Sequence, residues 1–420
     1  MTTTLRSMFD SLFNRDFVLQ TARWVGAVER VRTLHPADVL LALVCCAVGD
    51  EERSIATARR QLLGITGEIP EESSFYERLT PGMAGLAWLL FLRTVTRANR
   101  VQRKKIACAL GLSLRDVRAV DATVVTLPSR AAAKLPSTDS KLGGFKITAT
   151  LSLIEDVLLS AHFTDARQHD RKAFELPDKF VGVLFLMDRG YADHRLFADI
   201  DDGSGYFIIR LKDCSAPTVR TIRSGLAKIH CGKPMDRHLP FHGVVDLDAS
   251  FTVRGGQRRI FRVVGIPVLV KKKGESELQY VWLATNLPAH RVAADTVGTI
   301  YRLRWSVENL FRTLKTVGRL DQLRSGKLEV IQVFVGATLL GLALAQAICA
   351  LMRAARPGVE PSLGRVLALL LAHLPYLIHL PPEQLPMQLH RFTAALWREG
   401  VNPNPGRPFA WQRHLSTVGE

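Results

Sequence analysis

The sequence predicts an α/β fold with helical regions at both ends of the chain. The first indication is a series of strand-like runs that begins with VRAVDATVVTLP at residues 117–128. The second is VGVLFLMDRGY at residues 181–191, whose continuous apolar stretch is typical of a strand buried on both faces. The third is the helix-like patterning of residues 1–112 and 329–420. A strand-rich block, residues 214–284, interrupts the α/β region.

The charge balance indicates a polyanionic partner. The chain has 420 residues, with 56 Lys+Arg against 39 Asp+Glu, a net charge of +17 and a pI near 10.0. Such a surplus favours nucleic acid or an anionic membrane surface. An apolar content of 47% excludes a wholly disordered basic tail. Six cysteines in a chain of this length do not form a disulfide framework, and the N-terminus lacks a signal-peptide pattern, so we expect a reducing, cytosolic compartment.

The N-terminal region, residues 1–112, is predicted to be a helical, DNA-binding region. Apolar stretches end at glycines, as at Gly49, and Thr80 followed by Pro81 has the pattern of a helix start. A helix-turn-helix-like bundle and any other small helical bundle fit this pattern equally well. The helix that begins at Pro81 is expected to run past Arg93.

A basic stripe lies at the end of that helix. Arg93, Arg97, Arg100 and Lys104 recur at spacings of four, three and four, so they share one helical face. An ordinary solvated helix face would show the same pattern. In a chain this basic, we favour a stripe that follows a phosphate backbone.

The central region is predicted to contain an α/β core in two parts, residues 113–213 and 285–328, with a β-rich insertion at 214–284 between them. Strand-like runs include FKITATLSLI, VLLSAHFT and YFIIRLK, and Gly255-Gly256 has the pattern of a hairpin turn. One long helix is expected at about 289–316. The C-terminal region, 329–420, is predicted to be helical.

The apolar run at 330–352 is long enough for a membrane span. Gln332, Thr338 and Gln346 interrupt it, and no second comparable run occurs. We therefore favour a buried core helix and expect no membrane association, with a basic membrane-associated protein as a rival interpretation.

The polar face of the predicted long helix holds one acid among cations. At ~100° per residue, Tyr301, Arg304, Glu308 and Lys315 fall within a stripe ~60° wide. An ordinary surface helix with an ion pair from Arg304 to Glu308, worth ~0.3–0.5 kcal/mol, would account for this spacing alone.

Two further acids lie in predicted core strands. Asp121 follows the apolar stretch around Val120, and Asp188 ends VLFLMD. An ionised carboxylate in such a position must be paired, hydrogen-bonded or bound to metal. Together with Glu308 they supply three hard oxygen ligands that suit Mg²⁺. Such a site can hold two ions ~3.5–4 Å apart that act on a phosphodiester.

These motifs resemble the DDE transposases of the IS-four family. The similarity rests on DAT at residues 121–123, DRGY at 188–191 and YRLRWSVENLFRTLK at 301–315. The family signature is Tyr, two residues, Arg, three residues, Glu, six residues, Lys, and this chain matches it without a spacing error. The resemblance covers about residues 115–330.

The resemblance implies an RNase H-like catalytic core interrupted by the β-rich insertion. It implies a cut-and-paste transposase dependent on two Mg²⁺ ions, for which Mn²⁺ may substitute, with Asp121, Asp188 and Glu308 as metal ligands. Tyr301, Arg304 and Lys315 would contact phosphates near the scissile bond. The implied partners are double-stranded DNA, both transposon ends and target, and a second copy of the chain in the synaptic complex, with the C-terminal region as the dimer surface. The implied location is the bacterial cytoplasm, at the nucleoid when DNA-bound.

Two more residues are predicted DNA contacts. Relatives stack a flipped base on a tryptophan of the insertion, and Trp282 is the nearest match; packing in the core is the alternative role for an aromatic residue on a strand. Arg210, on the strand after DRGY, is a plausible backbone contact. The alternative function is a catalytically degenerate, element-derived protein that binds DNA without cutting it. No P-loop is present, and a zinc site at Cys214 and Cys231 is disfavoured by their wide spacing.

Overall fold

The computed structural model describes most of the chain. The described residues are 1–31, 34–49, 52–98, 114–139, 141–154, 157–225, 231–236, 243–272, 275–316, 319–323, 325–379 and 383–403. They form one mixed sheet with helices packed around it, so the predicted α/β class with flanking helical regions is confirmed.

The sheet has nine strands. In chain order they are β1 Asp116–Leu127, β2 Gly143–Ser152, β3 Val157–Asp165, β4 Val183–Met187, β5 Tyr206–Arg210, β6 Thr218–Ser224, β7 Val245–Thr252, β8 Arg258–Lys272 and β9 Glu275–Thr285. Their order across the sheet is β3-β2-β1-β4-β5-β9-β8-β7-β6. Strands β1, β2 and β3 form an antiparallel meander, whereas β1, β4 and β5 run parallel.

The β-rich insertion extends this same sheet. Strand β9 pairs antiparallel with β5, and β8, β7 and β6 follow it by antiparallel pairing. Gly255 and Gly256 turn the chain between β7 and β8 with φ values of 63° and 75°, a conformation that glycine adopts without steric cost. The insertion and the first part of the core therefore form one continuous β-sheet.

Thirteen α-helices surround the sheet within the described ranges. They are α1 Thr2–Phe13, α2 Arg15–Trp24, α3 Pro36–Val48, α4 Ile55–Thr66, α5 Glu72–Tyr76, α6 Pro81–Ala98, α7 Asp170–Ala173, α8 His194–Asp202, α9 Ala294–Arg302, α10 Trp305–Thr316, α11 Leu328–Ala355, α12 Leu363–His379 and α13 Leu385–Glu399. The predicted start of α6 is present, because the Met83 amide donates to Thr80 Oγ1 at 3.2 Å.

The N-terminal and C-terminal helices share one hydrophobic core. Helix α11 packs against α6, α3 and α12, and every residue of α3 is buried. Among the described helices, α11 alone is long and apolar enough to span a membrane, yet its apolar window is entirely buried inside the protein. This packing favours the core-helix interpretation. The DNA-binding and dimerisation roles of the two regions stay predictions.

The predicted single helix at 289–316 is wrong, because the chain forms two helices with a turn at Leu303 and Arg304. The Leu303 amide donates to Ile300 O and the Arg304 amide to Tyr301 O, each at 3.0 Å, which is the tighter hydrogen-bond pattern of a 3₁₀ turn. Leu303 is buried and Arg304 points its guanidinium at the sheet. Contacts with the sheet thus override a helical periodicity that continues through the turn.

Replacing Gly341 in α11 by leucine should destabilise the protein by about 1–3 kcal/mol, because added side-chain volume has no room there. A Cβ at Gly341 would lie 3.1 Å from Val48 Cγ2 and 3.3 Å from Val44 Cγ1 on α3. The midpoint of urea unfolding, followed by circular dichroism, measures the effect. Gly364→Leu in α12 is the matched control, because no atom lies within 4 Å of a Cβ there. Equal destabilisation of both variants would contradict the packing of α11 on α3.

Candidate active site

Asp121 and Asp188 lie side by side on neighbouring parallel strands. Val120 of β1 pairs with Met187 of β4, so the residue that follows each of them occupies the same level of the sheet. Asp121 is held within β1, where its Oδ1 accepts a hydrogen bond from the Ala122 amide at 2.8 Å. Asp188 directly follows β4, at the carboxyl end of that strand. The sheet register alone therefore brings two carboxylates together.

Arg304 joins the helix to these strands. Its Nη1 donates to Asp121 Oδ2 at 2.6 Å and its Nη2 donates to Glu308 Oε1 at 2.8 Å. Arg304 is only 8% exposed, so water screens these charges weakly. The guanidinium therefore bridges the β1 carboxylate and the α10 carboxylate at one place.

Tyr301 reaches the third carboxylate. Its hydroxyl donates to Asp188 Oδ1 at 3.3 Å, and the Arg304 guanidinium lies 5.7 Å from the centre of its ring. Burial raises the pKa of the Tyr301 phenol, which keeps the hydroxyl protonated and able to donate. Asp121, Asp188 and Glu308 thus belong to one hydrogen-bonded group, with Arg304 and Tyr301 as its donors.

Burial, together with the neighbouring charges, alters the pKa of Asp121. Burial raises it to about 6, Arg304 and the Ala122 amide oppose the rise, and Asp188 and Glu308 add to it. Burial acts to lower the pKa of Arg304, but the neighbouring tyrosine and carboxylates outweigh that effect and raise it. The guanidinium is therefore the cation that lets these carboxylates stand close together.

The donor set fits a hard divalent cation, although the carboxylates are not arranged as a ligand cage. Among the described residues, no three His, Cys, Asp or Glu side chains already converge as metal ligands. Instead, Arg304 lies among Asp121, Asp188 and Glu308. Carboxylate oxygens are the ligands that Mg²⁺ prefers. Burial raises the pKa of Asp121 and the neighbouring Asp188 and Glu308 add to the rise, so added positive charge would stabilise the ionised site.

The remaining predicted contacts near the pocket differ in position. Arg210 ends β5 and is half-buried, and its charge acts on Tyr301. Lys315 is exposed in the last turn of α10. Trp282 is only 4% exposed, because it packs on Gly265 and its ring stacks 5.7 Å from that of Tyr280. This is the packing of a core side chain, and base stacking by Trp282 stays a prediction that requires its exposure.

The basic stripe is only partly described. The Arg93 guanidinium lies 3.8 Å from the centre of the Phe17 ring, so it packs against α2 within the protein. Arg97 lies within α6, but its side chain is outside the described part of the structure. Arg100 and Lys104 lie outside the described residues. The DNA-contact role of the stripe stays a prediction.

A supporting network behind DRGY was missed from the sequence. Lys146 Nζ, buried on β2, donates to Asp170 Oδ1 at 2.6 Å. A Cβ at Gly190 would lie 2.6 Å from Asp170 Oδ2, so a larger residue there would displace the Asp170 carboxylate. Tyr191 is fully buried beneath the pocket, where burial raises its pKa. The one signal in the sequence was a lysine, Lys146, inside the strand-like run FKITATLSLI.

Comparisons with known proteins agree with this geometry. The family described as the transposase DDE domain matches residues 112–344, which include all three carboxylates, Tyr301, Arg304 and Lys315. Similar curated proteins are the putative transposase InsL for insertion sequence element IS186A of Escherichia coli strain K12 and the transposase for insertion sequence element IS421 of Escherichia coli. Each is 39% identical over 61 residues, which cover 14% of this chain and 16% of the relative.

The length of the family match decides the assignment. The matched segment spans more than half of the 420 residues and contains the strands β1 to β9 together with the helices that complete the pocket. The relatives, by contrast, share only a short segment, so they indicate kinship without transferring a whole-protein activity. The chain belongs to the DDE transposase family.

Proposed function

We propose that the protein is a DNA transposase that hydrolyses phosphodiesters at transposon ends and transfers the freed strand into target DNA. The observation that carries this proposal is the single pocket in which Arg304 and Tyr301 hydrogen-bond Asp121, Asp188 and Glu308. Three acids far apart in the chain have no structural need to meet, since surface positions would leave each one hydrated. Their convergence is typical of a catalytic site.

The sheet topology supports an RNase H-like core. An antiparallel meander, β1 to β3, is joined to the parallel strands β4 and β5, with carboxylates on β1, after β4 and on a helix that follows the insertion. The insertion strands add to the β5 side of the sheet. The helix that carries Glu308, α10, packs against β1.

Asp121, Asp188 and Glu308 are the residues that would hold two Mg²⁺ ions, with Mn²⁺ as a possible substitute. When bound, such ions supply Lewis-acid activation of the attacking and leaving oxygens. The side chains around them orient the substrate. Tyr301 and Arg304 present donors at the pocket itself, and Arg210 and Lys315 lie where they can extend contact along a phosphate backbone.

Arg304 has two roles in this proposal. Without divalent cations it neutralises Asp121 and Glu308, as the distances of 2.6 Å and 2.8 Å indicate. With divalent cations held by Asp121 and Glu308, the guanidinium would be available to bind the phosphate of the substrate, because its fork matches phosphate oxygens as well as carboxylates. A catalytically degenerate DNA-binding protein would need neither role, and the complete set of donors in one pocket favours the active enzyme.

The assembly and location follow from the proposed reaction. Bringing two transposon ends together requires two active sites, so we infer a homodimer on DNA, with the C-terminal helices as the contact surface. Bacterial cytoplasm, with nucleoid association when DNA is bound, is the compartment in which the substrate occurs. Burial of α11 supports a protein that acts without a membrane.

Asp121→Asn, Asp188→Asn and Glu308→Gln should each lower cleavage of a linear duplex bearing the element's terminal repeat by at least ~10³-fold, because several kcal/mol of charge stabilisation are lost. Binding of the same duplex should change only a few-fold. A gel assay of strand cleavage in Mg²⁺ measures the first quantity, and fluorescence anisotropy measures the second. Asp116→Asn is the matched control, since Asp116 lies on the same strand but pairs with Arg118 at 2.8 Å. Near-normal cleavage by any one of the three variants would remove that residue from the proposed site.

Asp121→Asn should also change how stability depends on pH. Because the pKa of Asp121 is about 6 in the folded protein, against an ordinary value near 4, the folded state holds a proton that the unfolded state releases between these values. The wild type therefore loses stability relative to Asp121→Asn as pH rises from about 4 to about 6, and the difference stays constant above that window. Melting temperatures in EDTA measure this effect. A difference that does not vary with pH would show that the carboxyl titrates normally.

Arg304→Gln should bind Mn²⁺ about tenfold more tightly than the wild type while cleaving DNA poorly, because a competing cation is removed from Asp121 and Glu308. Titration followed by electron paramagnetic resonance of free Mn²⁺ measures the affinity. In EDTA the variant should melt at a lower temperature than the wild type, and Mn²⁺ should restore the loss. Arg302→Gln, an exposed neighbour on α9, is the control. Weaker Mn²⁺ binding by Arg304→Gln would mean that the arginine orders the ligands instead of competing with the cation.

A further inference from the structure

A basic cleft of about 760 Å³ opens beside the candidate active site. Four segments that are remote in sequence line it: residues 169 and 171–172, residues 192–195, residues 212 and 214–218, and residues 250–253. We propose that this cleft binds the phosphate backbone of DNA a few nucleotides away from the scissile phosphodiester. The inference rests on the proposed function, because it assigns a second contact surface to the same substrate.

The charges of the cleft suit an anionic chain. Arg171 Nε lies 3.4 Å from Asp193 Oδ2, so these two lining residues largely neutralise each other. Asp193 is the one acid among the described lining residues. Lys172 and Arg195, both exposed, then leave a surplus of two positive charges, and the half-buried Lys212 also lines the cleft. Lysine and arginine side chains on such a surface contact phosphates and position DNA without reading its sequence.

The cleft is a direct continuation of the strands that form the active site. Ala192 follows Asp188 by four residues, and Lys212 follows Arg210 by two, which limits the Cα separations to about 14 Å and about 7 Å. Along one strand of a duplex, successive phosphates are about 3.4 Å apart in axial rise. Since these separations are upper limits, the cleft begins within about four nucleotides of a phosphodiester bound at the pocket.

The walls of the cleft are held in place before any ligand binds. His194 Nδ1 lies 3.1 Å from Thr252 O, which ties the start of α8 to the end of β7. Asp193 Oδ1 accepts from the Arg195 amide at 2.9 Å, and Thr218 pairs with Ser250 across β6 and β7. A preformed site does not lose affinity to the ordering of loops, so modest charge is sufficient for useful binding.

Cys214 offers a direct probe of occupancy. It is exposed and lines the cleft, whereas Cys231 is exposed but does not line it. Among the described cysteines, Cys45, Cys46 and Cys349 are buried. Alkylation of Cys214 and of Cys231 by N-ethylmaleimide can therefore be followed separately by peptide mass spectrometry. Cys231 serves as an internal control for general changes in reactivity.

The first test removes the positive charge of the cleft. The double variant Lys172→Gln, Arg195→Gln should bind a fluorescein-labelled 30-base-pair duplex of arbitrary sequence more weakly in EDTA. Its plot of log binding constant against log salt concentration should be less steep by up to about 1.8, because each lost phosphate contact removes about 0.9 from the slope. Lys134→Gln, Lys179→Gln is the control of equal charge change, on exposed positions outside the cleft, and its slope should match that of the wild type.

The second test uses the wild-type protein and the same duplex. Saturating DNA should slow alkylation of Cys214 several-fold and leave Cys231 unchanged. An unaltered salt slope in the cleft variant, or undiminished reactivity of Cys214, in a wild-type protein that binds and cleaves DNA would overturn the cleft while leaving the transposase proposal intact. Failure of the wild type to bind any duplex would instead overturn both.

Discussion

The active pocket depends on one interaction, the bridge that the Arg304 guanidinium makes between Asp121 and Glu308. Three carboxylates in a half-buried pocket repel one another, and their desolvation already raises the pKa of Asp121 to about 6. An uncompensated buried charge costs several kcal/mol, so the pocket requires a cation in every state of the protein. In the structure that cation is supplied by the chain itself. Any change that moves Arg304 must therefore supply positive charge from elsewhere.

This requirement explains the local backbone. A continuous helix through 294–316 would satisfy the hydrophobic periodicity, yet the chain turns at Leu303 and begins a new helix at Trp305. Because of this turn, the Arg304 guanidinium can hydrogen-bond both Asp121 on β1 and Glu308 in the first turn of α10. On the other side, the register of β1 against β4 sets the level of Asp121 and Asp188. Strand β1 and helix α10 thus both contact the Arg304 guanidinium, and each of them constrains its position.

Local patterns in the sequence were enough to predict the sheet-and-helix class, the strands that carry Asp121 and Asp188 and the family to which the chain belongs. Those features depend on apolar runs and on short spacings. The split between α9 and α10 could not be predicted, because Leu303 fits an unbroken helical stripe and only contact with the sheet interrupts it. Pairing of Lys146 with Asp170, and the joining of the insertion to β5, depend on partners distant in sequence. The same is true of the basic cleft, whose walls come from four separate segments.

Negative charge in the pocket and positive charge in the cleft lie next to each other. This arrangement affects the order in which DNA and divalent cations would bind. The pocket concentrates three carboxylates, whereas the adjoining cleft carries a surplus of two positive charges. For a transposase acting as proposed, a phosphate backbone would be attracted to the cleft and repelled by the carboxylates, so DNA would be held beside the pocket without entering it. Divalent cations held by Asp121, Asp188 and Glu308 would reverse the sign of the pocket and would leave Arg304 available to the phosphate. On the proposed function, one electrostatic change would couple metal loading to substrate entry, and the protein could bind DNA without cutting it until that change occurs.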